Sequence, residues 1–196
     1  MRQGYVDHPY NGYLGRNLPR RWTPMPRASM DLALADSGVT EAVGQALARA
    51  LPAAASGQGA VVYLRGELGA GKTTCVRSLL RALGVTGLVR SPSYTLVETY
   101  ELAALLCVHV DLYRVQVLTE VDELGLRDLV GPKCLLLVEW PDRGAGALPS
   151  ADLELTLSYA GEARRASLNT GTVLGCAWLR NLGLDTSLAP YVSNST

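Results

Sequence analysis

Lysine is nearly missing from this chain. Of its 18 basic residues only Lys72 and Lys133 are lysines, and the rest are arginines. Charge of neither sign is in excess, because Asp and Glu together also number 18. No C-x-x-C pair occurs among Cys75, Cys107, Cys134 and Cys176, which removes the usual zinc-ribbon patterns; these residues read as buried free thiols of a reducing compartment. No apolar run reaches the ~18 residues of a membrane span. The N-terminus has no apolar core of the kind a secretory signal needs. These absences point to a cytoplasmic location with no membrane partner. Repeats and heptads are missing too, so neither a solenoid nor a coiled coil is expected. At 196 residues and 48% hydrophobic content, one domain with a sizeable core is the expectation.

The charge that is present is unevenly placed. Residues 1–29 carry Arg2, Arg16, Arg20, Arg21 and Arg27 against Asp7, a net of +4, which leaves −4 on the remainder. This leader is rich in Gly, Pro, Tyr and Arg without periodicity, so it is expected to be disordered. Its tyrosines and arginines could stack on and neutralise RNA. It also reads as a plain extension, or as the product of a start misplaced upstream of Met30. An acidic body argues against the core gripping nucleic acid alone, since neutralising phosphates dominates such binding.

One of the two lysines stands where a lysine is needed. Gly66-Glu67-Leu68-Gly69-Ala70-Gly71-Lys72-Thr73 fits G-x-x-x-x-G-K-[ST], the phosphate-binding loop. The apolar run Ala60–Leu64 before it reads as a buried strand. The run Thr73–Leu83 after it reads as a helix stopped by Gly84. Glycines let the backbone curl and turn successive N–H groups inward, and the positive end of the helix completes an anion cradle. Residues 67–74, Thr74 included, are therefore the expected nucleotide contacts. Lys72 would bridge the outer phosphates as a compact charge, which the planar fork of arginine does not replace. The Thr73 hydroxyl would face Mg²⁺.

Around this loop the chain reads as alternating strands and helices. Asp36 or Ser37 can cap a helix through Val43, Leu47 and Leu51, ended by Pro52. Tyr94–Tyr100 is rich in β-branched and aromatic residues and predicts a strand. Leu106–Val110 predicts another, ending at Asp111. Thr119 can cap a helix with acids in its first turn. Leu135–Val138 is continuously apolar, as expected for a central strand covered on both faces, and ends at Glu139. Leu153–Tyr159 and Arg164–Leu168 predict a hairpin, Val173–Leu182 a last helix, and residues 185–196 a loose tail. The expected domain spans 30–184.

Phosphoryl transfer needs an acid at the end of a strand beside the loop strand. Both Val110-Asp111 and Val138-Glu139 offer one. Either carboxylate could instead cap a turn. The longer apolar run favours Glu139 as the metal-associated acid, which leaves Asp111 the second catalytic candidate. His109 has no second ligand at useful spacing and reads as a strand histidine. Arg114, three residues after Asp111, reads as its ion-pair partner rather than as an arginine finger. Arg164 and Arg165 could line the nucleotide or decorate a solvated hairpin. The N-K-x-D pattern of guanine readers and an LSGGQ-like signature are absent, so ATP is favoured by elimination.

Taken together, five blocks resemble the bacterial TsaE (YjeE) ATPases in order and spacing: the loop through Thr74, Ser91-Pro92-Ser93-Tyr94-Thr95-Leu96-Val97-Glu98, His109-Val110-Asp111-Leu112-Tyr113-Arg114, Glu123-Leu124-Gly125-Leu126 and Val138-Glu139-Trp140-Pro141. The likeness runs from about residue 31 to 182. It implies an ATP- and Mg²⁺-dependent protein for threonylcarbamoyl modification of adenosine 37 in tRNA. That protein would act with the TsaB and TsaD proteins and meet tRNA through their complex. By the same resemblance Lys72 and Thr73 hold phosphate and metal, Glu139 is the metal-associated acid, and Asp111 lies near the γ-phosphate. Ser91–Thr95 would respond to nucleotide. Ser37, Thr40 and the Arg164-Arg165 hairpin would approach the adenine side. Ser93 stands where the family commonly has Thr, and Asp142 replaces a common Glu.

The expected fold is a three-layer α/β P-loop NTPase with a mixed, mostly parallel sheet and a C-terminal β-hairpin. The expected activity is ATP hydrolysis, slow in isolation and raised by partners. A small-molecule or nucleotide kinase on the same fold is the main rival, since the loop alone does not separate water from an acceptor hydroxyl. A nucleotide-gated binding module is the other.

Overall fold

In the computed structural model, which describes residues 28–129 and 131–193, the apolar runs become strands of one seven-stranded sheet. The strands are β1 (Ala28–Leu34), β2 (Ala60–Gly66), β3 (Val97–Glu101), β4 (Leu106–Asp111), β5 (Cys134–Glu139), β6 (Leu153–Ala160) and β7 (Ala163–Thr170). Their order across the sheet is β1-β7-β6-β2-β5-β4-β3. The central four, β6, β2, β5 and β4, run parallel. The β6–β7 hairpin, with β1 added, flanks them on one side and β3 on the other, all through antiparallel pairings.

Every residue of β5 is buried, as befits a strand covered on both faces. Alternation sends Leu135 and Leu137 to one face, where they join Val62, Leu64 and Leu155 beneath three helices. These are α1 (Ser37–Ala50), α3 (Lys72–Ala82) and α6 (Val173–Gly183). Leu136 and Val138 go to the other face with Val61, Val108 and Val110. That face is covered by residues of α4 (Leu118–Glu123) and α5 (Leu126–Leu129), and a short α2 (Ala55–Gln58) precedes the loop strand. The three expected layers are present.

Local chemistry sets the helix boundaries. The Asp36 side chain accepts from the Val39 N–H at 3.0 Å and caps α1. Thr172 does the same for α6, accepting from Gly175 N–H at 2.9 Å. Gly44 lets α1 approach α3, for a Cβ there would sit 2.3 Å from the Cys75 carbonyl oxygen. Three thiols are buried as expected, Cys75, Cys107 and Cys134, while Cys176 is half-buried. Burial pushes the Cys75 and Cys107 thiols up to about 12, which makes them poor nucleophiles.

Several expectations are corrected. The strand read from Tyr94 begins at Val97, because Leu96 takes φ 63° and its N–H closes a turn on the Pro92 carbonyl at 2.6 Å. Thr119 does not cap α4. The helix starts two residues earlier, after Val117, with no side-chain cap. The segment read as a loose tail from 185 is held as far as Ser193. Asp185 pairs with Arg49 at 2.8 Å, Leu188 is buried, and Val192 bridges Leu32. The disorder expected of the leader falls on residues outside those described, except Ala28 and Ser29, which pair with Thr170 and Asn169 in β1.

That last finding moves the tolerable truncation point. Deleting residues 1–27 is expected to leave the melting temperature within ~2 °C. Deleting 1–34 removes Leu32 and Leu34, both fully buried, and uncovers the β7 edge. Two such side chains contribute roughly 4 kcal/mol by burial alone, which corresponds to a fall of about 10 °C or more in a domain of this size. Thermal unfolding of the two truncations checks this, and equal melting points would show that β1 adds nothing.

Candidate active site

The loop strand β2 ends at Gly66, and the chain turns through Glu67–Gly71 into α3. Gly66 takes φ 132° and Gly71 φ 108°. A Cβ at Gly66 would also fall 2.1 Å from the Leu157 carbonyl oxygen, so glycine is required there on both counts. Lys72 is only 4% exposed. Its ammonium donates to the Gly66 and Glu67 carbonyls, both at 2.8 Å, and lies 3.8 Å from the centre of the Trp140 ring. Burial pulls the Lys72 ammonium below its ordinary value, against the opposing pull of Glu139 and Asp111.

The two strand-end acids are register neighbours. β4 and β5 run parallel with Asp111 opposite Glu139, so both carboxylates reach the same sheet end and the same face as the start of α3. Each is almost fully buried, at 4% and 2% exposed. The Glu139 Oε2 accepts from the Thr73 hydroxyl at 2.9 Å. Its Oε1 meets His109 Nε2 at 2.9 Å. Asp111 is fixed differently: Oδ1 accepts from the Tyr113 N–H at 3.0 Å, and Oδ2 accepts from Ser91 and from Ser93, the latter at 3.3 Å. Through those bonds the Ser91–Ser93 segment joins the site.

The other expected residues take graded positions. Gly69, Gly71, Thr74, Tyr113 and Trp140 line the same cleft as Lys72, Thr73 and both acids, and Leu68 stands exposed at its rim. Thr40 is buried against Gly71 but turns its hydroxyl back to the Asp36 carbonyl at 3.3 Å, while Ser37 is exposed at the head of α1. The Arg164 guanidinium reaches the Gly69 carbonyl at 3.5 Å, which brings the hairpin to the loop. Thr95 is exposed and bonds Glu98, away from the cleft. Arg114 stacks over Tyr94 at 4.1 Å, so the ion pair expected with Asp111 is replaced by a cation–π contact. Asp142 bonds Arg65 and is not directed at the phosphate loop.

Sequence reasoning missed three aromatics. Trp140, at φ 58°, lays its ring beneath Lys72 and packs on Tyr113 with centroids 5.0 Å apart. The Tyr159 hydroxyl donates to the Leu68 carbonyl at 3.0 Å. An aromatic directly after a strand-end acid was the available signal for Trp140. Tyr159 carried none, because its neighbour is 91 residues away.

The donor set suits a hard divalent cation. Thr73 and Glu139 present oxygens at one point, and no cluster of three or more His, Cys, Asp or Glu side chains is placed to hold an ion among the described residues. Mg²⁺ takes one or two protein oxygens and completes its shell with water and phosphates. A buried ammonium, a glycine-rich loop at the head of α3, two acids and a hydroxyl are what a polyphosphate with such an ion needs.

Comparison with known proteins bears on the same residues. The family model for "Threonylcarbamoyl adenosine biosynthesis protein TsaE" matches residues 34–167. The chain is 44% identical over 115 residues to the tRNA threonylcarbamoyladenosine biosynthesis protein TsaE of Haemophilus influenzae, covering 59% of this chain and 73% of the relative. It is 36% identical over 115 residues to the protein of the same name from Bacillus subtilis, covering 59% and 72%. The crystal structure of Bacillus subtilis YdiB matches with a TM-score of 0.64 at 25% identity, covering 81% of this chain and 96% of that one. No helix among the described residues is long and apolar enough to cross a membrane.

Proposed function

The chain belongs to the TsaE family, and from that premise we propose that it is a Mg²⁺-dependent ATPase supporting threonylcarbamoyl modification of adenosine 37 in tRNA. It would act in the cytoplasm with the TsaB and TsaD proteins. One observation carries the ATPase reading: Lys72, Thr73 and Glu139 converge within hydrogen-bonding reach of the phosphate loop, with Asp111 beside them.

The residues divide the work. Loop amides and the α3 N-terminus receive the β- and γ-phosphates, which draw the Lys72 ammonium away from the Gly66 and Glu67 carbonyls. Thr73 and Glu139 would hold the metal, which would supply neutralisation of the phosphate charge. Asp111, clamped by two serine hydroxyls and a backbone N–H, orients the attacking water near the γ-phosphate. The Ser91–Ser93 contact lets that acid feel the segment expected to respond to nucleotide. Tyr159 and Arg164 steady the loop from the hairpin side.

The test is phosphate release from ATP with and without the TsaB–TsaD complex and with no acceptor added. Slow release alone, raised at least several-fold by the complex, is expected. Release that requires an added small-molecule acceptor would establish the kinase instead. A truncation starting at Ala28 should bind tRNA weakly, and tight, salt-sensitive binding would place tRNA recognition on this chain.

A further inference from the structure

His109 is fully buried and lies on the α3 face of β4, in register with Leu137. Its ring reaches diagonally across the strand pair to Glu139, where Nε2 sits 2.9 Å from Oε1. A carboxylate only accepts, so the bond requires the Nε2–H tautomer. His109 Nδ1 is buried with no hydrogen-bond partner among the described residues, and this tautomer leaves it as a lone pair rather than a stranded N–H. A histidine kept merely to fill a strand would not be aimed at a buried acid with its second nitrogen abandoned.

Among the described residues the other Glu139 oxygen is held by the Thr73 hydroxyl alone, a group that must turn to serve a metal. Lys72, the nearby cation, is itself tied to the loop carbonyls in this arrangement. Once Thr73 and Lys72 turn toward a nucleotide, the His109 bond is the one that keeps the carboxylate in place. We infer that His109 is a positioning residue, which fixes the Glu139 carboxylate so that its Oε2 faces the divalent cation beside Thr73. This deepens the ATPase reading and rests on it. Metal-site partners of this kind typically change metal affinity 10- to 100-fold when removed.

The experiment measures binding rather than turnover. Wild type, His109→Gln and His109→Leu are titrated with Mg²⁺ at a fixed concentration of a fluorescent, non-hydrolysable ATP analogue, and analogue binding is measured separately without Mg²⁺. His109→Leu should need at least ~10-fold more Mg²⁺ for half-saturation, with metal-free analogue affinity within about threefold. His109→Gln places an amide N–H near the Nε2 position and should recover wild-type behaviour to within about threefold. Equal shifts in both variants, or no shift in His109→Leu, would overturn the inference. Wild-type binding that ignores Mg²⁺ would overturn the metal dependence of the proposed function, and the inference with it, while phosphate release tests the ATPase reading separately. Histidine ¹⁵N NMR of the unaltered protein decides the matter even if a variant fails to fold. The chain has two histidines, and His8→Gln assigns them. An Nε2–H tautomer at His109 is expected, and an Nδ1–H tautomer excludes the bond on which the inference stands.

Discussion

Lys72→Ala is expected to abolish ATP hydrolysis and to weaken nucleotide binding roughly 10- to 100-fold, the effect of losing a charge-assisted contact of about 1.5–3 kcal/mol. Both parts follow from where the ammonium sits. It is nearly buried between two loop carbonyls and an indole ring, within electrostatic reach of both acids. Burial already works against its charge, and phosphate oxygens would take the place of the two carbonyls as charged partners. Alanine leaves the loop amides to face the phosphates alone. Lys72→Arg is expected to fare little better, because a planar guanidinium does not fit a pocket that brings a single nitrogen within 2.8 Å of two carbonyls. In a chain so poor in lysine, that distinction explains why this position departs from the general preference for arginine. Analogue binding by calorimetry and phosphate release at saturating ATP check the two parts separately. Normal turnover in Lys72→Ala would remove Lys72 from the reaction, and normal turnover in Lys72→Arg would show that any cation serves there.

The legible parts of the fold were those with a local cause. β5 reads as a strand because both its faces are covered, which forces a continuous apolar run. The hairpin reads because Leu153, Leu155 and Leu157 alternate with polar residues. α1 reads because Asp36 opens it and Pro52 follows its end. β1 carries a similar alternation in Met30, Leu32 and Leu34, but its neighbour is the last strand of the hairpin, and a polar leader blurred its start. Leu96 defeated the β3 boundary because a leucine at positive φ has no compositional signal.

The site divides along the same line. Lys72, Thr73, Asp111 and Glu139 were legible because motif and strand-end position mark them. Their convergence was not, since it depends on the register that sets Asp111 opposite Glu139. The bonds from Ser91 and Ser93 to Asp111, from His109 to Glu139 and from Tyr159 to the loop all cross between elements far apart in sequence. Arg114 shows the converse error. Spacing of three residues suggested a partnership with Asp111, yet the chain turns after the strand and the guanidinium finds Tyr94.

Glu139→Gln should separate binding from chemistry. The amide has the size of the carboxylate and can keep both of its bonds. Its oxygen accepts from His109, and its NH₂ donates to the Thr73 hydroxyl, which reverses from donor to acceptor. The melting temperature should therefore not fall, and a buried charge is removed. The same reversal engages the Thr73 lone pair that the proposed metal would use and strips the negative charge from that side of the cleft. Affinity for a non-hydrolysable ATP analogue is expected to stay within about threefold, while turnover drops roughly 100-fold or more, the scale of losing one electrostatic stabiliser. Asp111→Asn keeps its backbone contact through Oδ1 and can bond Ser91 and Ser93 with its amide, so it too should fold. Its turnover should lie between wild type and Glu139→Gln, as the role proposed for Asp111, on the water rather than the metal, requires. Phosphate release at saturating ATP, paired with Mg²⁺ titration, ranks the two. Normal hydrolysis by Glu139→Gln beside an inactive Asp111→Asn would show that Asp111 is the acid on which the metal depends.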